Sequence, residues 1–324
     1  MTSAPALSDD QLLSMLGQIR RAPGQEGAYA PHKPLMLLLA LGRLQRGASR
    51  MVAFHDVEAD LGSLLTEFAK TGSAANRNMP FWRLKNDAQR GLWQVEDPTG
   101  VENVDAVDQP TLTRMRRSAL VGGFAPAVHQ ALTRNPELVI RAAEFILEAN
   151  FPKSLHTDIA QAVGLNLTPL QVRAQDMAAT THYGSTSTKR RRDPAFRDSV
   201  LRAYEYRCCV CGFDLRVGHL PAGLEAAHIQ WHTLGGPDEV TNGLSLCALH
   251  HKLFDLGAFT VSPGELRIQF SQHAMAGGRG MSGELRHHGQ PLLAPQHQDQ
   301  RPGEIFLQWN EKNVFKGPAR QWAG

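Results

Sequence analysis

From Pro34 onward, Leu35, Met36, Leu37, Leu38, Leu39, Leu41 and Leu44 leave almost no polar face. That pattern predicts a helix buried on all sides, with proline in its first turn. Val57, Leu61, Leu64, Leu65 and Phe68 recur at helical spacing and predict a second, amphipathic helix closed by Thr71-Gly72-Ser73. Phe81-Trp82-Arg83-Leu84 and Leu92-Trp93-Gln94-Val95 bracket Asn86-Asp87 and read as two short strands joined by a turn. Asn135 offers a cap, Pro136 a first turn, and Leu138, Val139, Ala142, Phe145, Ile146 and Ala149 one apolar face of a further helix. A shorter helical stretch follows near His156 to Val163. The pattern then dissolves into Thr180, Thr181, Gly184 to Thr188 and the basic run Lys189-Arg190-Arg191-Arg192, which reads as a solvated linker able to touch backbone phosphates. Periodicity returns at Asp193-Pro194 with Phe196, Val200, Leu201 and Tyr204. Near the end, Ile305 to Trp309 and Val314-Phe315 look like packing segments, and 276–283 and 295–301 like loops.

These blocks predict an α+β protein: an amino-terminal mixed α/β domain over 1–165, a linker over 166–192, and a second domain over 193–324 with a C-terminal extension. A length of 324 residues suits two folded units. No apolar run is long enough for a bilayer, and Met1-Thr2-Ser3-Ala4-Pro5 lacks a basic stretch leading into an apolar one, so the expected setting is the cytoplasm, without a membrane partner. The formal charge of +3 is compatible with a polyanion and does not require one.

Distribution is more telling than totals. All four cysteines, Cys208, Cys209, Cys211 and Cys247, fall in one short segment, unlike the spread of a disulfide framework. Cys208-x-x-Cys211 and Cys247-x-x-His250 supply four soft donors, which suit tetrahedral structural Zn²⁺ and leave Cys209 spare. The bland alternative, small buried hydrophobes, explains the cysteines singly but not their paired spacing.

Between and after the pairs come His228, Asn242 and His251, the order of an HNH (ββα-metal) motif. Any one histidine of the fourteen is more often structural than catalytic, but two histidines and an asparagine in this order inside a metal framework favour catalysis. Phosphodiester hydrolysis needs a base, and a neutral His228 imidazole suits that task near pH 7. It also needs charge neutralisation, which a divalent ion, Mg²⁺ or Mn²⁺, held by His251 would supply. Asn242 is expected to fix the loop and orient His228 by hydrogen bonding. A second ligand for that ion is open between Asp255 and Glu225, with Glu225 the weaker because strand alternation aims it away. His232 has no role beyond a phosphate or metal contact.

The segments Arg191-Arg192-Asp193-Pro194-Ala195-Phe196, Tyr206-Arg207-Cys208, Glu225-Ala226-Ala227-His228 and Gly257-Ala258-Phe259 resemble the nuclease half of the phosphorothioated-DNA-binding HNH restriction endonucleases. The front half resembles their sulfur-binding domain through Pro31-His32-Lys33-Pro34-Leu35, Pro80-Phe81-Trp82-Arg83-Leu84 with Asn86-Asp87, and Gly122-Gly123-Phe124. The resemblance implies double-stranded, phosphorothioate-modified DNA as partner. It implies polar contacts from His32 and Lys33, and an apolar cup for sulfur that includes Pro80, with Met79 standing where the family usually places tyrosine. Sulfur is larger and more weakly hydrated than oxygen, so an apolar surface favours it while lysine balances the charge. Two other readings stay open: an HNH nuclease for other modified or unmodified DNA, and a non-catalytic zinc-stabilised DNA-binding module. One cutting site per chain against two strands suits a homodimer.

Overall fold

The computed structural model describes residues 7–19, 29–100, 104, 110–167, 194–275 and 282–321. The linker over 166–192, with Lys189 to Arg192, lies almost wholly outside them. The chain forms two compact units, Met1–Asn150 with His156–Ser185, and Phe151–Leu155 with Thr186–Gly324. No helix among the described residues is long and apolar enough to cross a membrane.

The first unit is mostly helical: α1 (Asp9–Gly17), α2 (His32–Gln45), α3 (Phe54–Phe68), α4 (Asn78–Arg83), α5 (Leu112–Arg117), α6 (Pro126–Arg134), α7 (Pro136–Asn150) and α8 (His156–Ala162). The apolar run from Leu35 to Leu41 does form the central helix, and it packs on α3, α4 and α7 with Leu35, Met36, Leu37 and Leu38 fully buried. Asn135 caps α7 as its sequence predicts, its Oδ1 accepting from the amides of Glu137 at 3.1 Å and Leu138 at 3.4 Å.

A three-stranded antiparallel sheet stands beside the helices, in the order β1 (Val52–Ala53), β3 (Val121–Phe124), β2 (Trp93–Glu96). Here the sequence reading needs correction. Trp93–Glu96 is a strand, but Phe81–Arg83 is helical and Leu84–Asn86 is a 3₁₀ turn; the partner of β2 is β3, with Trp93 opposite Phe124. Two consecutive aromatics fit a strand pattern, yet Pro80 fits the first turn of a helix, where its missing amide costs nothing. Phe81 and Trp82 are then both buried. Phe54, Phe81, Trp93 and Phe124 form an edge-to-face chain with centroids 5.4, 5.8 and 5.7 Å apart. Gly123 is required there, because a Cβ would lie 1.9 Å from the Arg50 carbonyl oxygen.

The second unit is built on a hairpin of β6 (Leu224–His228) and β7 (Gly243–Cys247), flanked by α9 (Pro194–Ala203) and followed at once by α10 (Ala248–Asp255). The register pairs Leu224 with Cys247 and His228 with Gly243. This is the ββα arrangement the motif order implies. Two further two-stranded pieces, β4 (Arg216–Val217) with β5 (Leu220–Pro221) and β8 (Phe259–Val261) with β9 (Ile268–Phe270), and the helices α11 (Ser282–Leu285) and α12 (Glu304–Asn313), complete it. Phe196, Val200 and Leu201 of α9 join Leu244, Leu246, Phe254 and Phe259 in one core. Gly243 lets α9 approach, since a Cβ would meet Val200 at 2.4 Å.

Candidate active site and metal cluster

Cys208 and Cys211 lie in a tight knuckle after α9, closed by Gly212 N donating to Cys208 O at 2.8 Å and Cys208 N donating to Phe213 O at 2.9 Å. Gly212 has φ +74°, which an L side chain rarely adopts. Cys247 ends β7 as the residue before α10, and His250 sits in that helix's first turn. One donor atom from each of Cys208, Cys211, Cys247 and His250 lies within 4.8 Å of the others. His250 Nδ1 is 3.2 Å from Cys247 Sγ and 3.6 Å from Cys208 Sγ. Hydrogen bonds from Cys211 and then Cys247 pull the Cys208 thiol down to about 3, and hydrogen bonds with Cys208 and then Cys247 push Cys211 up. A proton-sharing sulfur group of this kind is one that a soft cation can occupy in place of its protons. Three sulfurs and one imidazole nitrogen fit Zn²⁺ with every position filled by protein, which is a structural site.

Glu284 of α11 places Oε2 2.9 Å from His250 Nε2, off the hydrogen-bond axis. That puts a carboxylate beside the ring nitrogen that a metal-bound imidazole turns away from its ion. Cys209 is the spare thiol: it is fully buried, its amide donates to Ser245 O at 2.8 Å, and burial pushes its thiol well up.

His228 closes β6. Its ring stacks on Phe196 of α9 at 4.0 Å and 19° between planes, and its Nε2 lies 2.8 Å from Asp238 Oδ1. The other Asp238 oxygen is 3.8 Å from His232 Nε2. Asn242 is fully buried, and its side chain serves the backbone: Oδ1 accepts from Gln230 N at 2.8 Å, and Nδ2 donates to Gln230 O at 3.1 Å and Pro237 O at 2.9 Å. The expectation that Asn242 fixes the loop matches this geometry. The expectation that it hydrogen-bonds His228 does not, because its donors are spent on carbonyls and the neighbour of His228 is Asp238.

His251 follows His250 on α10, with Nδ1 2.5 Å from Glu225 Oε2 and Nε2 3.2 Å from Asp255 Oδ2. Burial alone would lower this imidazole, but hydrogen bonds to Asp255 and Glu225 outweigh it and hold it up to about 10. Strand alternation aims Glu225 away, yet it reaches His251: its half-exposed side chain bends toward α10, which packs on β6. An imidazole between two carboxylates attracts a cation, whether a proton or a divalent ion. His228, His232, His251 and Asp255 line one cleft of about 50 Å³.

In the first unit, the proposed DNA-contacting side chains have internal partners. His32 Nε2 is 3.1 Å from Ser73 O, and burial lowers its imidazole. Lys33 Nζ is 2.6 Å from Asp87 Oδ2, with only 12 % of its side chain exposed. Met79 is half-buried and Pro80 buried in the first turn of α4, which packs on α2. Asp238 and Glu284 went unrecognised in the sequence. An acidic residue after Gly235-Gly236-Pro237, inside the His–Asn interval, was the available signal for the first; nothing local marks the second.

Residues 9–168 match the family described as "ScoMcrA-like, DNA sulfur-binding domain", and residues 208–262 match "HNH endonuclease". No curated protein matches the chain. Among solved structures, the sulfur-binding domain of ScoMcrA complexed with phosphorothioated DNA is 22% identical over 49% of this chain and 96% of its own, with a TM-score of 0.40. The corresponding SprMcrA domain complex is 23% identical over 49% of this chain and 94% of its own, at 0.39. The Type IV phosphorothioation-dependent restriction endonuclease ScoMcrA is 22% identical over 63% of this chain at 0.41, and only 35% of its length is covered. The two family matches, with a Cys₃His cluster and a ββα hairpin inside the second, place a ScoMcrA-like DNA sulfur-binding domain at residues 9–168 and an HNH endonuclease domain at residues 208–262.

Proposed function

We propose that the protein is a modification-dependent restriction endonuclease that recognises phosphorothioated duplex DNA through its first domain and hydrolyses phosphodiester bonds with its second. The observation that carries the nuclease reading is that His228 and His251 line the same cleft, in a hairpin–helix unit whose far strand ends in the Cys₃His cluster. His228, in its neutral form, takes the proton of the attacking water. His251, with Asp255 and Glu225, holds the divalent cation, Mg²⁺ or Mn²⁺, which when bound neutralises charge on the scissile phosphate and the leaving oxygen. Cys208, Cys211, Cys247 and His250 would hold zinc, which would fix the start of α10 and hence the aim of His251. Asn242 braces the loop between His228 and β7.

On the DNA side, the reading assigns His32, Lys33, Met79 and Pro80 to the surface around the sulfur. Met79 supplies a soft, polarisable wall suited to a thio-oxygen, and Lys33 lends charge from an ammonium that Asp87 holds in place. Two strands and one site per chain favour action as a homodimer, and duplex DNA is met in the cytoplasm. The test is cleavage of matched phosphorothioate and ordinary duplexes in Mg²⁺ and in Mn²⁺, by wild type and His228→Ala. Cutting of the modified duplex that disappears in the variant is expected. Equal cutting of both duplexes would remove sulfur recognition, and binding without any cutting would leave a zinc-stabilised DNA-binding module.

A further inference from the structure

His228 sits in a more elaborate setting than a lone base needs. Its ring is sandwiched between two constraints of different kinds: the Phe196 face at 4.0 Å, which fixes the plane, and the Asp238 carboxylate 2.8 Å from Nε2, which fixes the rotation within that plane. Both His228 and Asp238 are almost wholly buried, with 8 % and 10 % of their side chains exposed. Asp238 is itself held in place, because the residue before it, Pro237, gives its carbonyl to the fully buried Asn242. Gly236, one step earlier, packs so closely that a Cβ would lie 1.9 Å from the Gln230 carbonyl oxygen and 2.9 Å from Asn242 Nδ2. The loop from Gln230 to Asn242 is thus clamped around one product: a carboxylate aimed at the outer nitrogen of the base.

We propose that Asp238 is the positioning residue of the hydrolytic base, forming a carboxylate–imidazole dyad with His228 that keeps the proton on Nε2 and the lone pair on Nδ1. A neutral imidazole has one donor and one acceptor nitrogen, and a carboxylate accepts only. With Nε2–H donating to Asp238, the ring's lone pair is on Nδ1, the atom that takes the proton of water. When that proton arrives, the imidazolium is stabilised by the adjacent negative charge. In this dyad the His228 proton stays on Nε2 and the transferred proton goes to Nδ1; Asp238 takes none. The other titratable or charged groups lining the cleft are His232, His251, Asp255 and Lys153. His232, 3.8 Å from the second Asp238 oxygen, is the one that shares the carboxylate. The inference rests on His228 being the base.

The test is made on the full-length, zinc-loaded chain. Asp238→Asn keeps the size and shape of the side chain and removes the charge. The expected result is a fall in kcat of about 10²- to 10³-fold, smaller than the roughly 10⁴-fold seen when the buried Asp of a Ser-His-Asp triad becomes Asn, since no nucleophile depends on this pair. The acid limb of the pH–rate profile should move to lower pH, because the imidazole loses its stabilising charge. His228→Ala and the double variant should be equally inactive. Independent of any variant, nitrogen NMR of wild-type His228 above its titration should show the Nε2–H tautomer. A wild-type ring protonated on Nδ1, or an Asp238→Asn enzyme with kcat within threefold and an unmoved acid limb, would overturn the dyad. Should His228→Ala itself remain active, the assignment of the base fails and the dyad with it, a result distinct from failure of Asp238 alone.

Discussion

Replacing Asn242 by alanine isolates the brace under the candidate base. The carboxamide makes three hydrogen bonds in a fully buried site, one from Gln230 N and two to the carbonyls of Gln230 and Pro237. At a net ~0.5–1.5 kcal/mol for each bond, their loss costs about 1.5–4.5 kcal/mol, at the upper end because the Gln230 amide and two carbonyls stay behind in a dry pocket. In a domain of this size that is a fall in melting temperature of roughly 5–15 °C. The assay is thermal denaturation of the full chain with zinc present, the nuclease transition being the one that shifts when a chelator is added. Cleavage should fall in parallel, since the freed loop carries Asp238 and His232. An Asn242→Ala protein that melts within about 1 °C of wild type while losing cleavage would refute the reasoning, because the carboxamide would then be acting on substrate and not on the loop.

Other expectations follow from single contacts. Glu284→Gln should weaken zinc retention by about 10- to 100-fold in chelator competition, as for other carboxylates behind a metal-bound histidine, whereas Cys211→Ser should release the metal and unfold the second unit without unfolding the first. Asp87→Ala removes the carboxylate 2.6 Å from the largely buried Lys33 ammonium and should lower the stability of the first unit in urea denaturation, by at most about 3 kcal/mol. Glu58 is held below its ordinary range by hydrogen bonds from Arg116 and Arg77. Its contribution is therefore fully present above about pH 4.3 and lost as pH falls through the depressed folded value, so Glu58→Gln should destabilise at pH 7 and converge with wild type on acidification. Met79→Ala should narrow the binding preference for phosphorothioate over ordinary duplex, with little change for the ordinary one.

Local physics made much of the molecule readable. The Leu35 to Leu41 run and the Asn135-Pro136 helix start are each decided within about a dozen residues, and each stands in the structure as its pattern predicts. Phe81 to Leu84 misled because aromatic pairs fit a strand and a buried helix equally, and what chooses is the packing of Phe81 against Phe54 and Trp93, distant in the chain. The donor sets were legible as spacing. Their supports were not: Asp238 meets His228 through a loop whose path depends on Asn242, and Glu284 reaches His250 from 34 residues further on, in a helix of four residues.

The fourth thiol has a practical consequence. Cys209 lies in the hydrophobic core, one residue from a cluster donor but without a share in the cluster, while Cys211 is at the surface. An alkylating reagent should therefore reach Cys211 once the ion is stripped, and reach the buried Cys208, Cys209 and Cys247 only when the core opens. The gap in time between the first label and the other three would record how long the domain outlives its ion.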